Sequence, residues 1–156
     1  MNKCLNVIGI MLVLLLLPYC GRRDARQMDG QGSGAHAALT GIDSLMWRRA
    51  DSAFVLLQEF VVGPEVETLD TFDWHYCQVL ISELLYKNDC EQTNREDLLL
   101  AVSYFDSLCG EKGDAINRVS TDGKVFLDAR AHYINAVGYY EQGDVVQTCA
   151  EYLKAL

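Results

Sequence analysis

Proline is scarce in this sequence, which has only Pro18 and Pro64 in 156 residues. Proline interrupts helices because it lacks the backbone N–H and clashes with the preceding turn. Long stretches are therefore free of helix breakers, and this argues against a turn-rich β-sandwich. Half of the residues are hydrophobic, so a single domain of this length can bury a packed core.

Positive charge is also scarce, with 13 Lys and Arg residues against 22 Asp and Glu residues and a formal net charge of −9. The basic residues form only two short pairs, Arg22-Arg23 and Arg48-Arg49. An acidic surface repels nucleic-acid phosphates, whose contacts supply much of the affinity of nucleic-acid-binding proteins. The sequence therefore argues against direct binding of DNA or RNA by this segment.

Motifs of common catalytic sites are absent as well: there is no CxxC pair, glycine-rich phosphate loop or Gly-x-Ser-x-Gly motif. His75 and Cys77 are two residues apart, so on a helix they point about 200° away from each other and cannot act together. His36 falls in a polar N-terminal stretch, and His132 falls at a packing position. No two histidines or cysteines have the i, i+3 or i+4 spacing of metal ligands on a helix. We therefore expect neither an enzyme, nor a cofactor, nor a metal ion.

The cysteines of the body of the chain leave two alternatives open. They are Cys77, Cys90, Cys109 and Cys149. Cys90 and Cys109 flank one predicted helix about 20 Å long, so they cannot easily bridge each other. An exported protein can form disulfides. Cys149 could thus pair with another cysteine, or all four could be core or loop thiols.

The first twenty residues have the pattern of an export signal. Lys3 precedes an almost unbroken apolar run, Leu5 to Leu17, which suits a signal-peptide core and is short for a helix that spans about 30 Å of bilayer. A cysteine after such a run, here Cys20, resembles the lipobox of bacterial lipoproteins, in which that cysteine is lipidated and becomes the N-terminus. Tyr19 departs from the small residue of that motif. We expect residues 1–20 to direct a membrane-anchored lipoprotein to the cell envelope, facing the periplasm or the exterior; the alternative is an uncleaved N-terminal anchor.

Residues 21–41 are rich in Gly, Gln, Asp, Arg, Ser and Ala, and include Gly-Gln-Gly-Ser-Gly at 30–34. Such a segment cannot bury enough apolar surface to offset the entropy lost on ordering. We predict that it is a flexible tether. The folded domain is then predicted to span residues 42–156.

Within that domain, apolar residues recur every three or four positions, which predicts helices. A helix is expected over Asp51 to Phe60, a break at Gly63-Pro64, and a second helix from about Glu65 to Lys87. A capping-box pattern at Thr93 to Glu96 predicts the start of a third helix, which carries its apolar stripe to Leu108. Residues 110–120 are expected to be irregular. A fourth helix is predicted from about Asp122 to Gln142, a tight turn at Gly143-Asp144, and a fifth helix over Val145 to Leu156.

One spacing recurs in these helices and resembles the second helix of a tetratricopeptide repeat, in which a small residue is followed four positions later by a large one and three positions after that by an apolar one. It occurs at Ala53, Leu57 and Phe60, at Ala101, Phe105 and Leu108, and at Thr148, Tyr152 and Ala155. The resemblance is strongest in ARAHYINAVGYYEQGDVVQTCAEYLKAL, residues 129–156, where Tyr139, the Gln-Gly-Asp turn and Tyr152 fall in register. His132, Asn135-Ala136 and Thr148 depart from the usual residues. The chain thus resembles a family of tetratricopeptide-repeat envelope lipoproteins, which implies an all-α fold of tandem helical hairpins stacked as a short solenoid.

This resemblance implies a membrane-tethered scaffold that binds a peptide or protein partner. In such repeats the first helix of each pair lines a groove, and tyrosine and arginine are favoured at binding centres. The expected partner-binding residues are Arg130, Tyr133, Tyr140, Glu141, His75 and Glu83. The C-terminal repeat would leave an apolar face uncovered, which suggests self-association. The alternatives are the N-terminal sensory part of a longer repeat-containing regulator, and a glycan- or solute-binding lipoprotein.

Overall fold

The computed structural model of the protein describes residues 34–110 and 121–156. Within these two ranges the chain forms six α-helices and one short 3₁₀ helix, and it contains no β-strand. The α-helices are α1 (Gly34–Met46), α2 (Ala50–Val62), α3 (Thr71–Lys87), α4 (Arg95–Gly110), α5 (Thr121–Glu141) and α6 (Val145–Lys154), and the 3₁₀ helix spans Pro64–Thr68. The predicted all-α fold is confirmed.

The helices follow one another as three packed pairs, α1–α2, α3–α4 and α5–α6. The first helices of the pairs also contact one another, because α3 packs against both α1 and α5. Helices of neighbouring pairs are joined by further contacts between α2 and α3 and between α4 and α5. This is the arrangement of a short helical-repeat protein, in which each pair buries its apolar face against the next.

The segment between α2 and α3 differs from its prediction. A single helix was expected from about Glu65, but Pro64 instead begins the 3₁₀ helix and the backbone is extended at Leu69 and Asp70. Asp70 then caps α3, and its side chain accepts a hydrogen bond from the backbone N–H of Asp73 at 2.9 Å. An aspartate at this position satisfies one of the unpaired amides of the first turn, so α3 begins at Thr71.

The start of α4 also differs from its prediction by one residue. The carbonyl of Asn94, not that of Thr93, accepts the first helical hydrogen bond, from the N–H of Leu98 at 2.9 Å. The buried Asn94 amide meanwhile donates to the Gln78 carbonyl at 3.1 Å and accepts from the Ser82 hydroxyl at 2.9 Å. This network ties the start of α4 to the middle of α3.

The turn between α5 and α6 forms at the predicted position. Gly143 has a positive φ of 77°, a conformation that is strained for residues with a Cβ. Its N–H donates to the Tyr140 carbonyl at 3.0 Å, and the N–H of Asp144 donates to the Tyr139 carbonyl at 3.0 Å. The Asp144 side chain then accepts from the N–H of Gln147 at 3.1 Å and begins α6.

The tether was predicted to extend to residue 41, and for residues 34–41 this prediction was wrong. Helix α1 begins at Gly34, and its buried residues Ala35, Leu39, Ile42 and Met46 form one stripe with helical spacing. His36 lies on this helix, with its Nδ1 2.6 Å from the Asp73 carboxylate. Although this segment is rich in small residues, it forms an amphipathic helix, and the apolar stripe of that helix packs against α2 and α3. Residues 21–33 lie outside the described residues.

In two of the three copies of the recurring spacing, the residues that define it belong to the hydrophobic core or pack against it. Ala53, Leu57 and Phe60 are buried in α2, and in α4 Ala101 and Phe105 are buried while Leu108 packs against the core at its edge. In α6, Thr148 is buried but Tyr152 is partly exposed. The third copy thus leaves a large aromatic side chain at the surface, close to the site described next.

Candidate functional site: an aromatic cavity lined by the first helices

A cavity of about 760 Å³ opens beside the first helices of the second and third pairs. Its lining comes from the end of α1, from α3, from α5 and from the C-terminal part of the chain: Trp47, Glu83, Tyr86, Lys87, Phe126, Ala129, Arg130, Tyr133, Tyr152, Ala155 and Leu156. The three lining residues of α3 lie within one turn, and those of α5 recur at helical spacing. Sequence spacing therefore aligns each helix's contribution on one face.

Five of the eleven residues that line the cavity are aromatic. Trp47 is 63% exposed, and Tyr86, Phe126 and Tyr133 are also largely exposed. The rings of Tyr133 and Tyr152 lie 5.7 Å apart in a tilted contact that joins α5 to α6. Aromatic groups are large and rigid and bury much area on binding, so this surface has the composition of a binding site.

A buried ion cluster lies beneath these walls. Arg130 is 7% exposed; its Nε is 2.6 Å from Glu83 Oε2, and its two terminal nitrogens are each 2.8 Å from an Asp43 oxygen. The pairing with Asp43 is thus bidentate, which is the strongest geometry for a guanidinium and a carboxylate. The cluster joins α1, α3 and α5, the first helices of all three pairs.

The charges of this cluster are compensated within the protein. Burial alone would lower the pKa of Arg130, but the hydrogen bonds and charges of Asp43 and Glu83 outweigh that effect and raise it. Asp43 also accepts a hydrogen bond from the Tyr76 hydroxyl, and burial together with this carboxylate raises the pKa of Tyr76. Lys87 lies 3.5 Å from Glu83 and 4.8 Å from the centre of the Trp47 ring. A ligand in the cavity therefore contacts aromatic side chains, and the charged groups beneath those side chains are already paired with one another.

Three of the six predicted partner-binding residues come together here, namely Glu83, Arg130 and Tyr133. Their positions relative to solvent differ. Tyr133 is exposed and lines the cavity, whereas Arg130 and Glu83 are buried and form an ion pair with each other. Arg130 was expected on an exposed groove surface, and that expectation was wrong because the carboxylates of α1 and α3 draw its guanidinium inward.

Tyr140, Glu141 and His75 do not line the cavity. Tyr140 is 70% exposed. It lies seven residues after Tyr133 on the same side of α5, which places it about two turns, or about 10 Å, further along the helix. Glu141 follows it at the exposed end of the helix. His75 is eight residues before Glu83, so its side chain leaves α3 in a direction about 80° away from that of Glu83 around the helix axis. These three residues therefore lie outside the cavity, Tyr140 and Glu141 at the surface and His75 partly buried elsewhere on α3.

His75 instead packs between the helices of the second pair. Its ring stacks on Tyr104 of α4, with the ring centres 4.2 Å apart and the planes 17° apart. Nδ1 of the ring is buried and has no hydrogen-bond partner. Burial lowers the pKa of His75 from 6.5 to about 4, so the ring is neutral in the folded protein at neutral pH.

We expect His75→Phe to make the protein less sensitive to acid. In the unfolded chain His75 takes up its proton near pH 6.5, but in the folded chain only near pH 4. Acidification across this window therefore favours the unfolded state, by about 1–2 kcal/mol for a ring that is only half-buried. Urea unfolding of both proteins at pH 7 and pH 4.5 measures this. An equal loss of stability in wild type and variant would contradict it.

Several residues of the site were not expected from the sequence. Asp43 lies on α1 and Trp47 directly follows the end of that helix, but no helix before Asp51 was predicted from the sequence. Phe126 and Tyr86 give no signal beyond that of ordinary amphipathic positions. The pairing of Asp43 with Arg130 joins residues 87 positions apart, and neither helical spacing nor charge pattern specifies such a contact.

In the described residues, Cys77, Cys90, Cys109 and Cys149 form no disulfide with one another. Cys77 is buried, Cys90 is half-buried, and Cys109 and Cys149 are exposed. The alternative of a disulfide through Cys149 is thus not realised in the described residues. The predicted lipidation site, Cys20, lies outside those residues.

Comparison with protein-family models, with curated proteins and with solved structures gives no match for this chain. Membership of a tetratricopeptide-repeat lipoprotein family therefore stays a prediction. In residues 34–110 and 121–156, no helix combines the length and apolarity needed to cross a membrane.

Proposed function

We propose that this protein is a helical-repeat binding module that holds a peptide segment of a partner protein in the aromatic cavity. The observation that carries the proposal is the cluster of exposed aromatic residues, Trp47, Phe126, Tyr133 and Tyr86, along the first helices of the pairs. In helical-repeat proteins the concave surface formed by such helices receives extended ligands. Enrichment in tryptophan and tyrosine is typical of the centres of protein interfaces.

The chemistry of the cavity favours a segment with an apolar or aromatic anchor residue. Arg130 and Glu83 are already paired, so neither offers an uncompensated charge to a ligand. Polar contacts remain available from the Tyr133 and Tyr86 hydroxyls and from the rim at Lys87. A volume of about 760 Å³ lies within the range of about 300–1,000 Å³ usual for ligand pockets. Such a space accommodates a few side chains of a bound segment.

We further propose that the module acts at the cell envelope, tethered through its N-terminus. The apolar run from Leu5 to Leu17 and the following Cys20 support this location. The excess of acidic residues supports a protein partner in preference to a nucleic acid. The sequence contains no motif of a common active site, so an enzymatic role is not part of this proposal.

Two of the three tyrosines of α5, Tyr133 and Tyr140, provide a matched test of the proposed function. Peptides would be selected from a random library on the immobilised full chain, and their affinities measured by calorimetry. We expect Tyr133→Ala, which removes a cavity wall, to weaken binding by about tenfold or more, as at interface hot spots. Tyr140→Ala is the control, because Tyr140 lies on the same helix outside the cavity.

The proposal also requires that both variants keep the wild-type circular dichroism spectrum. Failure to select any binding peptide would contradict the proposed function. Equal affinities for wild type and Tyr133→Ala would remove the cavity as the binding site. Competition by free sugars that also depends on Tyr133 would favour the alternative of a glycan-binding protein.

A further inference from the structure

Away from the aromatic cavity, α4 and α5 bring a histidine and two aspartates together. His132 is 1% exposed, and its Nε2 lies 3.1 Å from Asp106 Oδ1 and 3.8 Å from Asp128 Oδ1. One nitrogen and one oxygen from each aspartate all lie within 4.8 Å of one another. A single small cation placed among these atoms would contact all three.

The other side of the histidine ring is held in place by α6. Its Nδ1 is 2.7 Å from Glu151 Oε2, and the same oxygen accepts a hydrogen bond from the Asn135 amide at 2.8 Å. Lys154 donates to the second oxygen of Glu151 at 3.0 Å. A carboxylate that accepts from Nδ1–H fixes the tautomer in which Nε2 presents its lone pair, and metal-binding histidines are usually supported in this way.

Hydrogen bonds among the described side chains do not provide a partner for every polar atom of this cluster. A proton on Nε2 can point at one acceptor only, and the nearer acceptor belongs to Asp106. Oδ1 of Asp128 is buried and has no hydrogen-bond partner, an arrangement that is costly for a carboxylate oxygen. Among the described residues, the carboxylates of Asp106, Asp128 and Glu151 outnumber the nearby ammonium groups of Lys154 and Lys124, so the cluster favours an added cation.

We propose that His132, Asp106 and Asp128 bind a divalent transition-metal ion of the zinc type. One imidazole with two carboxylates suits zinc better than calcium or magnesium, which prefer oxygen ligands alone. Zinc bound tetrahedrally at about 2.0–2.1 Å separates its ligand atoms by about 3.3 Å. The separations of 3.1 and 3.8 Å between His132 Nε2 and the two aspartate oxygens bracket that value, and the two oxygens lie within 4.8 Å of each other. The Asp106 side chain is 53% exposed, so the fourth position opens to water.

The two ligands on α5 have a spacing that metal sites on helices use. Asp128 and His132 are four residues apart and lie on one face of the helix, as in other paired helical ligands. A search for paired histidines and cysteines alone does not reveal this site, because its partner ligands are aspartates. A bound ion would connect α4 to α5, while Glu151 of α6 supports it from behind. Metal binding would therefore stabilise the C-terminal helices against unfolding.

Calorimetric titration of the metal-free full chain with zinc chloride in mild detergent tests the proposal. We expect one zinc ion per chain. Asp106→Asn should weaken binding by about tenfold or more, the loss typical of altered metal sites, and should leave the circular dichroism spectrum unchanged because the side chain is exposed. His132→Gln should abolish the binding. Asp51→Asn is the control, since Asp51 is an exposed aspartate on α2, which packs against α1 and α3.

A thiol close to the cluster requires its own control. The Cys109 thiol lies beside Asp128, and thiolates bind zinc well. We expect Cys109→Ser to retain wild-type affinity, and cobalt(II) in place of zinc to give no sulfur-to-metal charge-transfer band. The proposal would be overturned if the wild type bound no zinc, if Asp106→Asn bound zinc as tightly as the wild type, or if Cys109→Ser lost the binding.

Discussion

Replacing Arg130 with methionine is expected to reduce the free energy of unfolding by about 3–5 kcal/mol. Methionine keeps an unbranched apolar stem, so the change removes mainly the guanidinium. Asp43 and Glu83 would then be left side by side without their shared cation, although Tyr76 would still donate to Asp43 and Lys87 would still lie near Glu83. Guanidinium chloride unfolding followed by circular dichroism measures the loss.

The cause of that loss can be separated from a simple packing defect. The triple variant Arg130→Met, Asp43→Asn, Glu83→Gln carries no charge at the cluster. Because replacing a whole buried ion cluster is much less damaging than removing one member, we expect the triple variant to recover most of the lost stability. If the triple variant were as unstable as Arg130→Met, uncompensated charge would not be the reason for the loss.

Phe105→Ala is expected to have an effect of similar size, with a loss of about 3–5 kcal/mol in the free energy of unfolding. Phe105 is fully buried on α4, and its ring meets Phe72 of α3 edge-on, with centres 5.9 Å apart. Truncation would leave a cavity in the core between the helices of the second pair, and the rigid neighbouring rings would fill it poorly. Denaturant unfolding at neutral pH measures this loss too.

A neighbouring position on the same helix gives the matched control. Leu100 is largely exposed, so Leu100→Ala should change the free energy of unfolding by about 0.5 kcal/mol or less. A loss of about that size for Phe105→Ala as well would mean that the recurring pattern of α4 does not mark the core. The first copy of the pattern, at Ala53, Leu57 and Phe60, would then need the same test.

The helical fold was predictable because its signal is local. The apolar periodicity places α2, α4, α5 and α6 close to their observed bounds, and the Gly143 turn follows from a glycine between two helical patterns. The start of α1 was not predictable in this way, since Ala35 and Leu39 stand among glycine, serine and other small residues. They become buried only because α2 and α3 provide a surface for them.

The site was predictable only in outline. Tyr133 could be placed on a binding face from its position on the first helix of a pair. The inward turn of Arg130 depends on Asp43 and Glu83, which lie 87 and 47 residues before it. Such pairings depend on how three helices meet, and a single sequence contains no direct record of that geometry. The position of His132 between Asp106 and Glu151 is unpredictable for the same reason.

The Asp43–Arg130–Glu83 cluster also affects the order in which the chain can become stable. In many repeat proteins each unit contacts only its neighbours, so partial arrays fold on their own. Here a guanidinium on the last helix pair neutralises carboxylates on the first two pairs. During synthesis from the N-terminus, Asp43 and Glu83 therefore emerge well before Arg130, and the early helices remain without their central cation until α5 arrives. We therefore expect the protein to fold cooperatively, and only after α5 has been synthesised. Until then, the helices that precede α5 should need protection.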